Sequence, residues 1–229
     1  MGNYKKINYM PVSKVYNMDC MEYMKDVPDN FFDLAIVDPP YGIGINKMIM
    51  GGRSTIKPDN RRWDEKIPED RYFSELFRVS KNQVIWGGNY FDLPPKRCFL
   101  IWDKGESMYG RSFSECEYAW CSFDKSSRIF KQNPNDKNRI HPTQKPVGLY
   151  AFILKNFTCH GDKILDTHLG SGSSRIAAYK MGFDFYATEI DKEYFDAQEL
   201  RFRRECFGEV KMSNETTIRQ TSIFDIIND

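Results

Sequence analysis

Two stretches of this chain carry residues that could do chemistry at points where regular backbone must stop. The first reads Asp33-Leu34-Ala35-Ile36-Val37-Asp38-Pro39-Pro40-Tyr41-Gly42. An apolar run with strand character ends in an acid, two prolines and an aromatic. Proline has no amide proton for a central sheet ladder, so the chain must turn there. Such a turn fixes the carbonyls of Asp38 and Pro39 beside a carboxylate and an aromatic face. These groups suit an exocyclic amino group on a planar base. Asp38 and a carbonyl accept its two hydrogens, and Tyr41 stacks on the ring. A plain strand-ending Pro-Pro turn fits the same residues, so the stretch alone leaves both readings open.

The second stretch reads Ile164-Leu165-Asp166-Thr167-His168-Leu169-Gly170-Ser171-Gly172-Ser173-Ser174 and runs into a helical pattern. Gly170 and Gly172 let backbone approach a ligand closely, and the helix that follows offers free N–H groups at its start. The next strand pattern ends at Tyr186-Ala187-Thr188-Glu189-Ile190-Asp191. Glu189 is thereby placed to accept both ribose hydroxyls of an adenosine-type cofactor. A tight strand-to-helix turn with an exposed glutamate satisfies the same spacing.

Positioning these residues requires a sheet. Strand character is read at Lys14–Asn17, Asp33–Val37, Gln83–Trp86, Cys98–Trp102, Glu117–Phe123, Ile164–Leu165 and Phe183–Ala187. Helical periodicity is read at Asp70–Ser80, where Tyr72, Phe73, Leu76, Phe77 and Val79 form a stripe, and at Val147–Phe157, Ser173–Met181 and Lys192–Phe207. Alternating strands and helices predict an α/β fold, a mostly parallel sheet covered on both faces. No repeat or clean linker divides the 229 residues, so residues 1–229 are expected to form a single domain. The tail from Lys211, apolar again at Ile223–Ile227, either docks as a final strand or stays loose.

Composition narrows the setting. With 41% hydrophobic and 28% charged residues the chain is not a disordered one. It holds no run of about 18 apolar residues and no apolar N-terminal leader, so neither a membrane partner nor a secretory signal is expected. Six cysteines at this length read as reduced thiols in a cytoplasm. Cys116 and Cys121, with His141 downstream, make a poor metal set. Their parity points them to opposite faces of one strand, and no metal is expected. The net charge of +1 is unevenly spread: Ile43–Lys145 holds 19 Lys and Arg against 13 Asp and Glu, and the remainder holds 14 against 19. The surplus sits in two stretches rich in Gly, Asn, Ser or Pro. One contains Lys47, Arg53, Lys57, Arg61 and Arg62, the other Lys125, Arg128, Lys131, Lys137 and Arg139. Both read as mobile basic loops, either simply solvated or poised to meet phosphate.

Taken together, these motifs resemble a known family. Asp38-Pro39-Pro40-Tyr41 matches the catalytic signature of the S-adenosylmethionine-dependent DNA amino-methyltransferases that act on adenine N6 or cytosine N4. Asp166 to Gly172 is similar to their cofactor loop, His141-Pro142-Thr143-Gln144-Lys145-Pro146 to the segment before it, and Asn17-Met18-Asp19-Cys20-Met21-Glu22 to their adenine-contacting segment. The catalytic motif comes first, which is the circularly permuted order of the beta group.

The resemblance implies a Rossmann-like seven-stranded methyltransferase sheet with helices on both faces. It implies catalytic roles for Asp38, Pro39, Pro40 and Tyr41. It implies cofactor contacts from Asp19, Cys20, Lys145, Pro146, Asp166, His168, Gly170, Ser171, Gly172 and Glu189. Here Glu189 would hold the ribose, Asp19 the adenine amino group, and Asp166, Gly170 and Gly172 the methionine end. No separate recognition domain fits the length, so target recognition would fall on the loops within 42–63 and 103–140, which hold both basic stretches. The implied reaction is site-specific methylation of a flipped adenine at N6 in double-stranded DNA, since Asp at the first motif position leans toward adenine. Cytosine N4 is the nearest alternative, followed by an RNA or protein substrate, a nicotinamide-dependent oxidoreductase, and a silent nucleic-acid-binding module. A homodimer and a cognate restriction enzyme are the further partners the resemblance allows.

Overall fold

The computed structural model describes residues 10–44, 64–134, 136, 138–211 and 217–219. Ten strands and five α-helices are described, besides a 3-10 turn at Glu106–Met108: β1 (Ser13–Tyr16), α1 (Cys20–Lys25), β2 (Phe32–Val37), α2 (Asp70–Val79), β3 (Ser80–Trp86), β4 (Phe99–Asp103), β5 (Cys116–Cys121), β6 (Arg128–Lys131), α3 (Val147–Phe157), β7 (Lys163–Asp166), α4 (Ser173–Lys180), β8 (Asp184–Thr188), α5 (Lys192–Phe207), β9 (Glu209–Lys211) and β10 (Thr217–Arg219). No described helix is long and apolar enough to cross a membrane.

Eight strands form one mixed sheet in the order β1-β8-β7-β2-β3-β5-β4-β6. The β1/β8, β8/β7, β7/β2 and β2/β3 pairs are parallel, and β5 lies antiparallel between β3 and β4. Alternation along β2 explains the two-sided covering. Leu34 and Ile36 enter a core with Leu149 and Ile153 of α3, and Ala35 and Val37 enter another with Met24 of α1 and Leu76 of α2. The apolar stripe of α2 is buried at Tyr72, Phe73, Leu76 and Val79.

All seven expected strands form, and β6 adds an eighth. Arg128–Lys131 was expected to be part of a mobile basic loop, and it is instead a strand paired parallel to β4, with Ile101 opposite Ile129. Its alternation is hard to see because it is an edge strand, with Arg128, Ile129 and Lys131 exposed. Among the described residues of the tail, β9 and β10 pair with each other as an antiparallel ribbon separate from the main sheet. Residues 223–227 lie outside the described residues, as do Lys47, Arg53, Lys57, Arg61, Arg62 and Lys137.

The consequence for function is positional. Strands β1, β8, β7, β2 and β3 run the same way, so the segments after Tyr16, Thr188, Asp166, Val37 and Trp86 emerge along one sheet edge. That carboxyl edge of parallel strands is where open α/β sheets bind ligands.

Candidate active site

A cavity of about 830 Å³ opens along this edge, within the size range of small-molecule sites. One side is the turn after β2. Asp64, itself buried, accepts the Tyr41 amide at 2.7 Å and the Gly42 amide at 3.1 Å through Oδ1, which pins the chain leaving the two prolines. Tyr41 lies against the backbone of Gly87, where a Cβ would come within 2.2 Å of its ring. Its other neighbour is Tyr90, stacked at 5.0 Å with rings 15° apart.

The Asp38 carboxylate is held from both sides. Tyr41 donates its hydroxyl to Oδ1 at 2.5 Å, and the Lys145 ammonium donates to Oδ2 at 2.6 Å. Burial, with Asp38 and Glu117 nearby, pushes the Tyr41 phenol well above its ordinary range, so it stays a hydrogen-bond donor. Each Asp38 oxygen has a further lone pair for an incoming donor.

The opposite side is the glycine loop between β7 and α4. Gly170 and Gly172 both adopt positive φ, +53° and +75°, and Gly172 caps α4 in the left-handed conformation that glycine permits. The buried Arg201 guanidinium ties the loop from behind, donating to the Ser171 carbonyl at 2.9 Å and the Ser173 hydroxyl at 2.8 Å. Glu189 follows β8. Its Oε2 accepts the Gly170 amide at 2.8 Å and its Oε1 the Asp191 amide at 2.9 Å, so the acid and the loop form one rigid wall. Asp19 closes the far end by capping α1 at the Met21 and Glu22 amides. Burial, aided by Asp19, pushes the neighbouring Cys20 thiol up to about 12, which leaves it an uncharged lining group.

The cavity lining includes Asp38, Pro39, Pro40, Tyr41, Asp19, Cys20, Lys145, His168, Gly170, Ser171 and Glu189. Three expected residues stand behind the wall. Pro146 precedes α3, Gly172 opens α4, and Asp166 is buried beneath the loop, taking the Ser174 hydroxyl at 2.6 Å and the His168 amide at 3.0 Å. Burial raises the Asp166 carboxyl to about 7. Among the described residues, the expected basic side chains Lys125, Arg128, Lys131 and Arg139 do not line the cavity. Lys131 pairs with Glu106 at 3.0 Å, and Arg139 donates to the carbonyls of Pro142 and Pro134. Lys125 lies over the rings of Phe123 and Phe157. Among the described residues no group of three or more His, Cys, Asp or Glu is arranged to hold a metal.

Hydrogen-bond accounting fixes the state of His168. The buried Tyr72 hydroxyl has one partner among the described residues, Thr167 Oγ1 at 2.7 Å, and Thr167 Oγ1 is in turn 2.9 Å from His168 Nδ1. Thr167 has a single proton to give. The direction Tyr72 to Thr167 to His168 gives the buried Tyr72 hydroxyl an acceptor and leaves Nε2–H on the cavity side, and an unused buried donor costs about 1–3 kcal/mol. Burial holds the imidazole down at about 4, so it is neutral near pH 7, with its proton on Nε2. Long-range ¹⁵N–¹H NMR should therefore show the Nε2–H tautomer, and Thr167→Val should populate Nδ1–H; an Nδ1–H imidazole in the parent protein would contradict the relay.

Sequence reasoning missed Asp64, Glu117 and Lys104, all in the lining. A signal was present for Glu117, a lone acid within an otherwise apolar strand. Asp64 had none, because its partners stand 22 and 23 residues away. Tyr90 lines the cavity, whereas Phe91 packs in the core.

The profile of the family described as DNA methylase, N6_N4_Mtase, matches residues 85–199, just over half of the chain. The chain belongs to this N6/N4 DNA methylase family. This methylase is similar to YubD of Escherichia coli (strain K12), which carries a provisional methylase name; the two are 25% identical over 207 residues, covering 83% of this chain and 90% of that one. Its fold is similar to that of the M1.HpyAVI–SAM complex, at a TM-score of 0.55 and 21% identity, covering 82% of this chain and 98% of that one. It is also similar to PvuII DNA methyltransferase, described as cytosine-N4-specific, at a TM-score of 0.55 and 13% identity, covering 84% and 87%. These structural likenesses establish a Rossmann-like methyltransferase fold.

Proposed function

We propose that this methylase transfers the methyl group of S-adenosylmethionine to the N6 amino group of an adenine flipped out of double-stranded DNA. The observation that carries the reading is that the Asp38–Tyr41 turn and the Gly170–Glu189 wall face one shared cavity, so a base amine and a cofactor can meet inside it. The donor set fits an adenosyl cofactor. Glu189 presents a carboxylate in the cavity lining, held to the loop through the Gly170 and Asp191 amides, of the type that accepts a ribose diol, and Asp19 offers a carboxylate for an adenine amino group. When bound there, the cofactor supplies an electrophilic methyl group on a positively charged sulfur.

The protein's own part is placement and charge. An aromatic amine is a weak nucleophile because its lone pair is delocalised into the ring. Asp38 and the Pro39 carbonyl would accept its two protons, favour a pyramidal nitrogen and aim the lone pair at the methyl carbon. The amine, once methylated, would shed one proton, for which Asp38 is the adjacent acceptor and water the exit. No covalent enzyme intermediate is required, so orientation and electrostatics supply the rate. Flipping the base costs a few kcal/mol, partly offset by aromatic contact with Tyr90, which covers the Tyr41 ring and is itself exposed on the cavity wall. The choice of adenine rests on Asp38 at the head of the Pro-Pro-Tyr turn. Arg128, exposed on the edge strand β6, is a proposed phosphate contact. Incubating the protein with methyl-labelled cofactor and mixed-sequence duplex DNA tests the reading. Label retained on the DNA is expected, and cofactor binding without any transfer would overturn it.

A further inference from the structure

Four charged side chains alternate in sign across the cavity wall. Lys104 Nζ lies 2.8 Å from Glu117 Oε1, Glu117 Oε2 lies 3.0 Å from Lys145 Nζ, and Lys145 Nζ lies 2.6 Å from Asp38 Oδ2. They come from four segments: the end of β4, the start of β5, the residues before α3 and the turn after β2. Antiparallel pairing sets Trp102 opposite Glu117, which brings Lys104 to the glutamate. We propose that Glu117 and Lys104 are positioning residues of the methyl-transfer site: Glu117, anchored by Lys104, holds the Lys145 ammonium in place, and Lys145 in turn fixes the Asp38 carboxylate for the target amine. The proposal rests on the reading of Asp38 given above.

The physical case is that Lys145 needs a second counter-charge. Its side chain is only 3% exposed, and burial alone drives a lysine toward neutrality. Burial pulls its ammonium down, yet Asp38 and Glu117 together more than offset this and hold it above the ordinary lysine range. Burial likewise raises the Glu117 carboxyl, and Lys145 and Lys104 reverse that and bring it down to about 2, so Glu117 stays charged at every working pH. Lys145 also lies 5.2 Å over the Trp86 ring and 5.8 Å over the Tyr41 ring, contacts too weak to replace a carboxylate. Were Asp38 the sole anionic partner, the same carboxylate would have to neutralise a buried lysine and accept the amine. Glu117 separates those two duties.

A buried ion pair can also be merely structural, and Glu117→Gln distinguishes the cases because it keeps the shape and removes the charge. The groups acting on Lys145 are Asp38 and Tyr41 from the turn after β2 and Glu117 from β5. Tyr150 of α3 lies in the field of the same carboxylates, and Lys104 and Arg139 act on Glu117. Burial and the neighbouring carboxylates hold the Tyr41 and Tyr150 phenols well above their ordinary range, and the alkaline limb of turnover is expected to report the loss of charge at Lys145. In E117Q that limb should move to lower pH. We expect kcat to fall about tenfold, the worth of one charge-assisted hydrogen bond, with affinity for S-adenosylhomocysteine within twofold of the parent. Glu117→Asp should restore the limb. Titration of the Lys145 side chain by NMR in the cofactor-free protein should show the same downward move, and this readout stands even if the parent protein methylates no DNA. A lowered melting temperature with an unmoved Lys145 titration would overturn the proposal, as would a parental alkaline limb in E117Q.

Discussion

Replacing Asp38 with alanine should lower the rate of methyl transfer at least about a thousandfold while leaving cofactor affinity within about twofold. The size follows from losing a charged acceptor aimed at the reacting amine, a type of group whose removal commonly costs 10²–10³ in rate, together with the loss of base placement. The cofactor wall is built from other segments, the glycine loop and Glu189, which Asp38 does not touch. The variant should also fold. Lys145 keeps Glu117 at 3.0 Å, so no buried cation is orphaned, and the Pro-Pro turn keeps its anchor on Asp64. Single-turnover transfer and calorimetric titration with S-adenosylhomocysteine separate the two quantities. Asp38→Asn, which retains one acceptor oxygen, should lose less. Parental transfer by the alanine variant would remove the proposed role of the turn.

Glu189→Ala should have the opposite signature, weakening cofactor binding at least about 10²-fold while transfer at saturating cofactor changes little. Each hydrogen bond from a ribose hydroxyl to a carboxylate is worth about 1.5–3 kcal/mol, and every 1.4 kcal/mol is tenfold in affinity. The loss should exceed that of the two bonds alone, because Glu189 also holds the Gly170 and Asp191 amides. Glu189→Gln, which keeps the acceptor for one amide and offers one hydroxyl partner, should fall between. Equal cofactor affinity in the parent and the alanine variant would mean that the cofactor does not lie along this wall.

Much of this site was legible because its residues are local in sequence. The turn after β2 announces itself through two prolines, and the glycine loop through a strand, two glycines and a helix within eleven residues. The helices α3 and α5 fall where periodicity placed them, because their buried faces repeat at helical spacing. The strand β6 was not legible, since a four-residue edge strand, Arg128–Lys131, exposed at all but one position and flanked by charges, looks like a loop. The charge chain was not legible either. Lys145 stands 107 residues from Asp38, and only the order of strands in the sheet brings them together. Among the described basic residues, Lys131 and Arg139 counted toward a positive stretch, and they meet the exposed Glu106 carboxylate and the Pro142 and Pro134 carbonyls. Net charge along a chain does not register such pairing.

The central claim is that one cavity joins an adenine amine to a sulfonium methyl group. Its most direct test is nucleoside mass spectrometry of mixed-sequence duplex DNA after incubation with the purified protein and S-adenosylmethionine. The account predicts N6-methyladenine, absent from DNA treated with the Asp38→Ala variant. N4-methylcytosine would contradict the assignment of the base, and the absence of both modified nucleosides would contradict the proposed reaction itself.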